Sequence, residues 1–172
     1  MIQMYEKILP ESFCNYVIDK FDNEKDEHDK SHSMFDQLEI DHWKDETKDL
    51  IELTKGVAEH YSKHYDALNM MPKRRRIEAY RIKRYEPNKQ CFPLHVDAVS
   101  VESCTRYLAF LFYLNDSEAG TKFYTPNGTE DLTFEAKQGN ILVFPPMWMF
   151  PHEGLMPTQK PKYIMSTYFH YV

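Results

Sequence analysis

Cysteine and glycine are scarce in this chain of 172 residues, which has three of the first and five of the second. Cys14, Cys91 and Cys104 are too few, and odd in number, for a disulfide framework, so a reducing compartment is expected, taken here as cytoplasmic. No run approaches the ~20 apolar residues of a membrane-spanning helix, so no membrane association is expected. The opening MIQMYEKILPES has no basic region followed by an apolar run, so no secretory leader is expected either. Basic residues are outnumbered: 21 Lys and Arg against 27 Asp and Glu give a net charge of −6, which argues against duplex nucleic acid as a partner. Few glycines beside 15% aromatic residues point to a packed, strand-containing domain and away from disorder. A chain of this length forms one domain, 1–172, and buries roughly 70% of its unfolded surface without staples.

The texture changes near residue 73. Before it, Ile8 to Phe21 places Phe13, Val17 and Phe21 on one face of a helix, with Pro10 and Glu11 in its first turn. Residues 22–33 are charged and nearly free of apolar side chains, which predicts an exposed loop. Trp43 to about Tyr65 repeats Leu50, Leu53, Val57 and Tyr61 at helical spacing, a long amphipathic helix. After residue 73, Ile77–Tyr85, Thr105–Leu114, Leu132–Glu135, Asn140–Phe144 and Lys162–Tyr171 read as strands between Pro, Gly, Asn and Asp clusters. Helices followed by a run of strands predict an α+β domain, with residues 1–72 as helical support packed on a sheet formed by 73–172.

The chemistry concentrates in Phe92-Pro-Leu-His95-Val-Asp97. Residues two apart on an extended strand project from one face, so His95 and Asp97 can converge on one point. A His-X-Asp triplet alone is weak. His152, after the apolar strand Ile141–Phe144 and a Pro-Pro turn, supplies a third ligand. Two His and one carboxylate on one face of an octahedron leave three open positions, the arrangement of non-haem Fe(II) oxygenases, although zinc accepts the same ligands.

From about Tyr80 to Phe169 the sequence resembles the Fe(II)/2-oxoglutarate-dependent dioxygenases, and within them the prolyl 4-hydroxylases. The resemblance rests on His95-Val-Asp97, Arg106, Tyr113-Leu114-Asn115-Asp116, Gly120-Thr121-Lys122-Phe123, Gly139-Asn140-Ile141, His152 and Lys162, in that order and at family spacing. It implies a double-stranded β-helix, a jelly-roll of cupin type, with the metal inside one mouth. It also implies Fe(II) at His95, Asp97 and His152, with 2-oxoglutarate as co-substrate, O2 as oxidant and ascorbate as reductant. By the same resemblance the far carboxylate of 2-oxoglutarate belongs to Lys162, ten residues after the distal His, with Ser166, Tyr113 and Tyr85 beside it. Arg106 and Tyr168 match residues that face the substrate. The odd offset between Arg106 and Tyr113 puts Arg106 at a rim or ahead of its strand. The Gly-Gly-Glu-Thr segment usual in the family is Ala119-Gly120-Thr121 here, and Asn88 stands where a Gly is usual.

The implied reaction is hydroxylation of a C–H bond, first on a prolyl residue of a peptide or protein, with a free amino acid, other small metabolite or nucleobase as the alternative. A reading of another class is a 2-oxoglutarate-binding module without turnover. Other conspicuous residues read as structural. His60 and His64, and the loop residues His28, His32 and His42, read as solvated. Lys73-Arg74-Arg75-Arg76 reads as a charged, solvent-facing strand entry, and Trp148 and Phe150 as a hydrophobic lip near the site or a buried plug.

Overall fold

The computed structural model describes residues 1–29, 31 and 33–172; His32 therefore lies outside the described residues. In chain order the elements are β1 (Gln3–Tyr5), α1 (Glu11–Asn23), β2 (Asp36–Glu39), α2 (Lys44–Ser62), β3 (Arg75–Ile77), β4 (Arg81–Tyr85), β5 (Phe92–His95), β6 (Arg106–Tyr113), β7 (Ser117–Tyr124), β8 (Glu130–Ala136), β9 (Ile141–Phe144), β10 (His152–Gly154) and β11 (Lys162–Tyr171). The larger sheet runs β1-β9-β6-β11-β4-β2, with β3 also paired to β11, and the smaller runs β5-β10-β7-β8. Every pairing is antiparallel. This is the double-stranded β-helix architecture.

The larger sheet is covered on both faces, which explains why its central strands read as nearly unbroken apolar runs. Tyr163, Met165 and Phe169 of β11, with Leu108, Phe110 and Phe112 of β6, pack into a core that includes Val17 and Phe21 of α1 and Leu50 and Tyr61 of α2. The alternate residues, Ile164 and Tyr168 with Ala109 and Tyr113, join Phe123 and Ala136 of the smaller sheet in a second cluster between the sheets. One strand thus feeds two cores. A register slip of one residue in β11 would exchange them.

Several expectations are corrected. Residues 1–72 are not only helical support, because β1 pairs β9 and β2 pairs β4 at opposite edges of the larger sheet. The loop at 22–33 is not wholly exposed. It contains a 3-10 turn at Lys25–Glu27, and His28 is buried, stacked on Phe21 at 3.9 Å between centroids with Nε2 2.9 Å from the Phe21 carbonyl. The strand expected over Ile77–Tyr85 is two strands, β3 and β4, which pair different stretches of β11. At the break Glu78 turns its carboxylate to Arg81, Arg106 and His170. Helix α1 begins at Glu11, with Pro10 as its extended cap. The solvent-exposed readings of His42, His60, His64 and the basic run at Lys73–Arg76 agree with the structure.

Candidate metal centre and co-substrate pocket

Strands β5 and β10 are neighbours in the smaller sheet, and their register sets His152 directly opposite His95. Asp97 lies two residues past the end of β5, and its amide and that of Ala98 both donate to the Pro146 carbonyl, at 3.2 and 3.1 Å. That tie fixes the loop after β5 against the loop before β10. His95, Asp97 and His152 each offer a ligand atom, and these lie within 4.8 Å of one another. They are the one such His/Cys/Asp/Glu cluster among the described residues.

The hydrogen bonds of the two imidazoles decide where their lone pairs point. Nδ1 of His95 donates to the Pro93 carbonyl at 2.7 Å, and Nδ1 of His152 to the Phe150 carbonyl at 3.0 Å. Each Nε2 is thereby left as an acceptor. These Nε2 atoms face Asp97, 3.5 Å from Oδ1 for His95 and 3.6 Å from Oδ2 for His152. Oδ2 is buried and has no hydrogen-bond partner. Three electron-pair donors converging on one point, one of them an orphaned buried carboxylate oxygen, are what a divalent cation satisfies. The residues fit the metal that the donor set suggests.

The surroundings hold this arrangement in place. The His95 ring stacks on Phe92 at 3.7 Å, and His152 lies between Phe123 at 5.3 Å and Phe144 at 4.8 Å. Burial pushes the His152 imidazole down, favouring its neutral, metal-binding form. Burial alone would push the Asp97 carboxyl up; the two imidazoles and the Tyr168 hydroxyl outweigh it and hold the group at about 2. Asp97 is therefore ionised across the working pH range.

Beside this cluster runs a cavity between the sheets, lined by Tyr85, Phe92, Thr121, Phe144, Lys162 and Ser166 together with the three ligands. Lys162 is 2% exposed. Its ammonium donates to the carbonyls of Leu155 at 2.5 Å and Gly120 at 3.5 Å and lies 4.6 Å from the Tyr85 ring centroid. No carboxylate among the described residues pairs with it, and burial pushes it down to about 7. Gly154 brings bare backbone close here: a Cβ on it would stand 3.7 Å from Lys162 Nζ.

The remaining sequence-derived residues divide. Tyr85 and Ser166 are on the cavity wall, and the buried Ser166 hydroxyl has no partner. Ser166 lies four residues beyond Lys162, about 13 Å along an extended strand, nearer the metal cluster. Tyr113 stands behind the wall and donates its hydroxyl to Thr121 Oγ1 at 2.8 Å. Tyr168 donates to Asp97 Oδ1 at 2.9 Å. Arg106 is the first residue of β6, and a register shift at Phe169/His170 accommodates its odd offset. Its guanidinium stacks on Tyr168 at 3.9 Å, donates to the Asp97 carbonyl at 2.9 Å and forks onto Glu78 at 2.8 and 2.9 Å. Those donors already serve protein groups, so both residues brace Asp97, whatever else they touch. Phe150 joins the cluster between the sheets, whereas Trp148 is exposed.

Three residues of the site escaped sequence reasoning: Thr121 as the link to Tyr113, Glu78 as the anchor of Arg106, and Lys83 on the cavity wall. Thr121 lies in a segment of the family resemblance that carries no sign of its bond to Tyr113, and Lys83 left a readable signal, being two residues from Tyr85 and so on the same face.

A jelly-roll with two imidazoles and a carboxylate at one mouth and a buried lysine deeper in the same cavity defines a class, the mononuclear metal oxygenases that use an oxo-acid. The family model for the 2OG-Fe(II) oxygenase superfamily matches residues 80–170. The chain belongs to that superfamily and is a 2-oxoglutarate-dependent dioxygenase, a class that uses Fe(II), 2-oxoglutarate and O2. A search of curated proteins finds no match. Among solved structures it resembles the viral collagen prolyl hydroxylase of Paramecium Bursaria Chlorella virus-1 in its 2-oxoglutarate complex, at TM-score 0.67 and 15% identity over 99% of this chain and 96% of that one. It also resembles a prolyl hydroxylase from Trichoplax adhaerens in complex with a hypoxia inducible factor peptide fragment, at TM-score 0.75 and 14% identity over 98% and 83%. A third likeness is SnoK, an α-ketoglutarate-dependent carbocyclase of nogalamycin biosynthesis, at TM-score 0.75 and 10% identity over 99% and 80%. Identities this low speak for the fold, whichever substrate each neighbour takes.

Proposed function

We propose that the protein hydroxylates a C–H bond of a prolyl residue in a peptide or protein. The observation that carries the reading is the convergence of His95, Asp97 and His152 on one point in a cavity that also holds the carboxylate-free ammonium of Lys162. Iron would supply the oxidising power: O2 would give one oxygen atom to the substrate and the other to the succinate left when 2-oxoglutarate loses carbon dioxide. His95, Asp97 and His152 would hold the metal, and a set of three protein ligands would leave positions open for the co-substrate and O2. Tyr168 keeps Asp97 oriented and charged, Phe92 stacks on the His95 ring, and Phe123 and Phe144 enclose that of His152. Lys162 receives the distal carboxylate, with Tyr85 beneath its ammonium and Thr121, held from behind by Tyr113, on the adjoining wall. Ascorbate would keep the metal reduced, and the free cysteines suit a reducing compartment such as the cytoplasm.

A chain-like substrate is supported by the residues flanking the ligands. Leu94 precedes His95, Val99 and Val101 follow Asp97, and Trp148 precedes His152; all four are exposed, Val101 at 83% and Trp148 at 67%. Apolar groups presented around a polar mouth suit a peptide lying across it. A small polar metabolite is the second reading, favoured by a polar cleft beside Asp97 that carries Arg76, Arg81 and Arg106 together with Glu39, Glu78 and Glu102.

The test is mass spectrometry of a panel of Pro-containing peptides, free proline and oligonucleotides with Fe(II), ascorbate and 2-oxoglutarate. The reading expects a peptide product one oxygen atom heavier, with matching succinate. Oxidation of free proline or another small molecule alone would support the second reading. Binding of 2-oxoglutarate without succinate from any substrate would make the protein a binding module. Lys162→Met is expected to raise the 2-oxoglutarate requirement by on the order of 100-fold while leaving metal binding unchanged, because one member of a desolvated charge pair is lost.

A further inference from the structure

We propose that Lys83 is a second carboxylate-binding group in this cavity, and that with Ser166 it holds the end of the 2-oxo acid next to the metal. The inference rests on the reading of the cavity as a 2-oxoglutarate site and assigns its second anion contact.

Lys83 is on β4, opposite Ile164 of β11, and points between the sheets, on the same face as Tyr85. It is 7% exposed. Its ammonium has no hydrogen bond or ion pair with any described residue and instead lies 4.9 Å from the ring centroid of Phe35 and 5.4 Å from that of Phe92. Two aromatic faces offset only part of the cost of burying an ammonium. Lys162 differs, because two backbone carbonyls accept its protons.

The two lysines face successive positions along the β4–β11 pair. Lys162 is opposite Tyr85, whereas Lys83 is one inward position closer to Ser166 and to Tyr168, which holds Asp97. The negative charge of Asp97 acts on Lys83, and Lys83 in turn acts on His152. Lys162 differs here too: burial acts on it most, and the carboxylate charge that reaches it is that of Glu118. Ser166 is diagonal to Lys83 across the β4–β11 pair, and its buried hydroxyl has no partner. Two donors without acceptors therefore share the metal-side half of the cavity.

A chelating 2-oxo acid has the complementary deficit. Chelating through one oxygen of its 1-carboxylate and its 2-oxo oxygen, it would leave the other carboxylate oxygen inside the cavity, where it requires donors. Lys83 and Ser166 supply them, and Lys162 takes the far carboxylate. This moves Ser166 from the Lys162 end, where the sequence resemblance put it, to the metal end.

The test titrates the Mn(II)-loaded protein calorimetrically with 2-oxoglutarate and with 2-oxobutyrate, which keeps the chelating end and lacks the far carboxylate. Lys162→Met should weaken 2-oxoglutarate and spare 2-oxobutyrate. Lys83→Met should weaken both by about tenfold or more, the loss of one charge-assisted hydrogen bond, with Mn(II) affinity unchanged. Unchanged affinity of Lys83→Met for both acids would overturn the proposal. Wild-type protein that binds neither acid would overturn instead the reading of the cavity, and the proposal with it. A second measurement avoids substitution: with Mn(II) present, either acid should slow reductive methylation of Lys83 in the wild type, whereas only 2-oxoglutarate should slow that of Lys162. Methylation of Lys83 at the same rate with and without ligand contradicts the proposal.

Discussion

Tyr168→Phe removes one oxygen atom from the molecule, and the structure specifies what that atom does. The hydroxyl donates to Asp97 Oδ1 at 2.9 Å in a buried setting, while the ring carries the Arg106 guanidinium at 3.9 Å. Burial and the Asp97 charge raise the phenol well above its ordinary range, so it remains a donor at any working pH. Phenylalanine keeps the ring and the stacking and deletes only the donor. A hydrogen bond to an ionised group contributes ~1.5–3 kcal/mol, and outer partners of metal ligands are worth about 10–100-fold in metal affinity or activity. The expectation is a loss of metal affinity in that range, read anaerobically by competing Fe(II) or Mn(II) against a chromophoric chelator. Tyr168→Leu, which also unseats Arg106, should lose more. If Tyr168→Phe bound metal within about twofold of the wild type, the reasoning that this hydroxyl orients Asp97 would be refuted.

Glu78 provides a pH test. Burial pushes its carboxyl up, but Arg106, His170 and Arg81 outweigh this and hold it at about 2, below its usual 4.5. A depressed folded-state pKa contributes stability above pH ~4.5 that is lost as pH falls toward 2, on the order of 3 kcal/mol in full. Glu78→Gln should therefore be destabilised at neutral pH and converge with the wild type near pH 2 in denaturant melts followed by circular dichroism; a gap independent of pH contradicts this. Gly120→Ala would place a Cβ 1.8 Å from the Phe134 carbonyl oxygen across the β7–β8 pair, so a loss of at least ~3 kcal/mol is expected in thermal melts. Gly154→Ala meets its nearest neighbour, Phe92 Cβ, at 3.3 Å and should fold, with weaker 2-oxoglutarate binding because the new methyl adjoins Lys162.

Much of the site was legible because each part sits in a strand with its own local pattern. His95 and Asp97 flag a shared direction, and Lys162 follows His152 at an interval the family keeps. Strands β6 and β11 stood out as apolar because both their faces are buried. Strands β1 and β2, three and four residues long at the sheet edges, are too short to show alternation. The break between β3 and β4 was hidden because Glu78 turns away to satisfy Arg106 and His170, partners 28 and 92 residues distant in sequence. His28 looked solvated among charged neighbours and is instead packed on Phe21. Arg106 and Tyr168 were placed near the substrate by analogy, while the structure shows their polar atoms engaged around Asp97, a distinction that requires three-dimensional register.

The most direct measurement is an anomalous difference map at the iron edge from crystals grown anaerobically with Fe(II) and 2-oxoglutarate. The account predicts one strong peak bonded to His95 Nε2, Asp97 and His152 Nε2, with the oxo-acid extending from it to Lys162. Iron bound elsewhere, or an oxo-acid pointing away from Lys162, would contradict it.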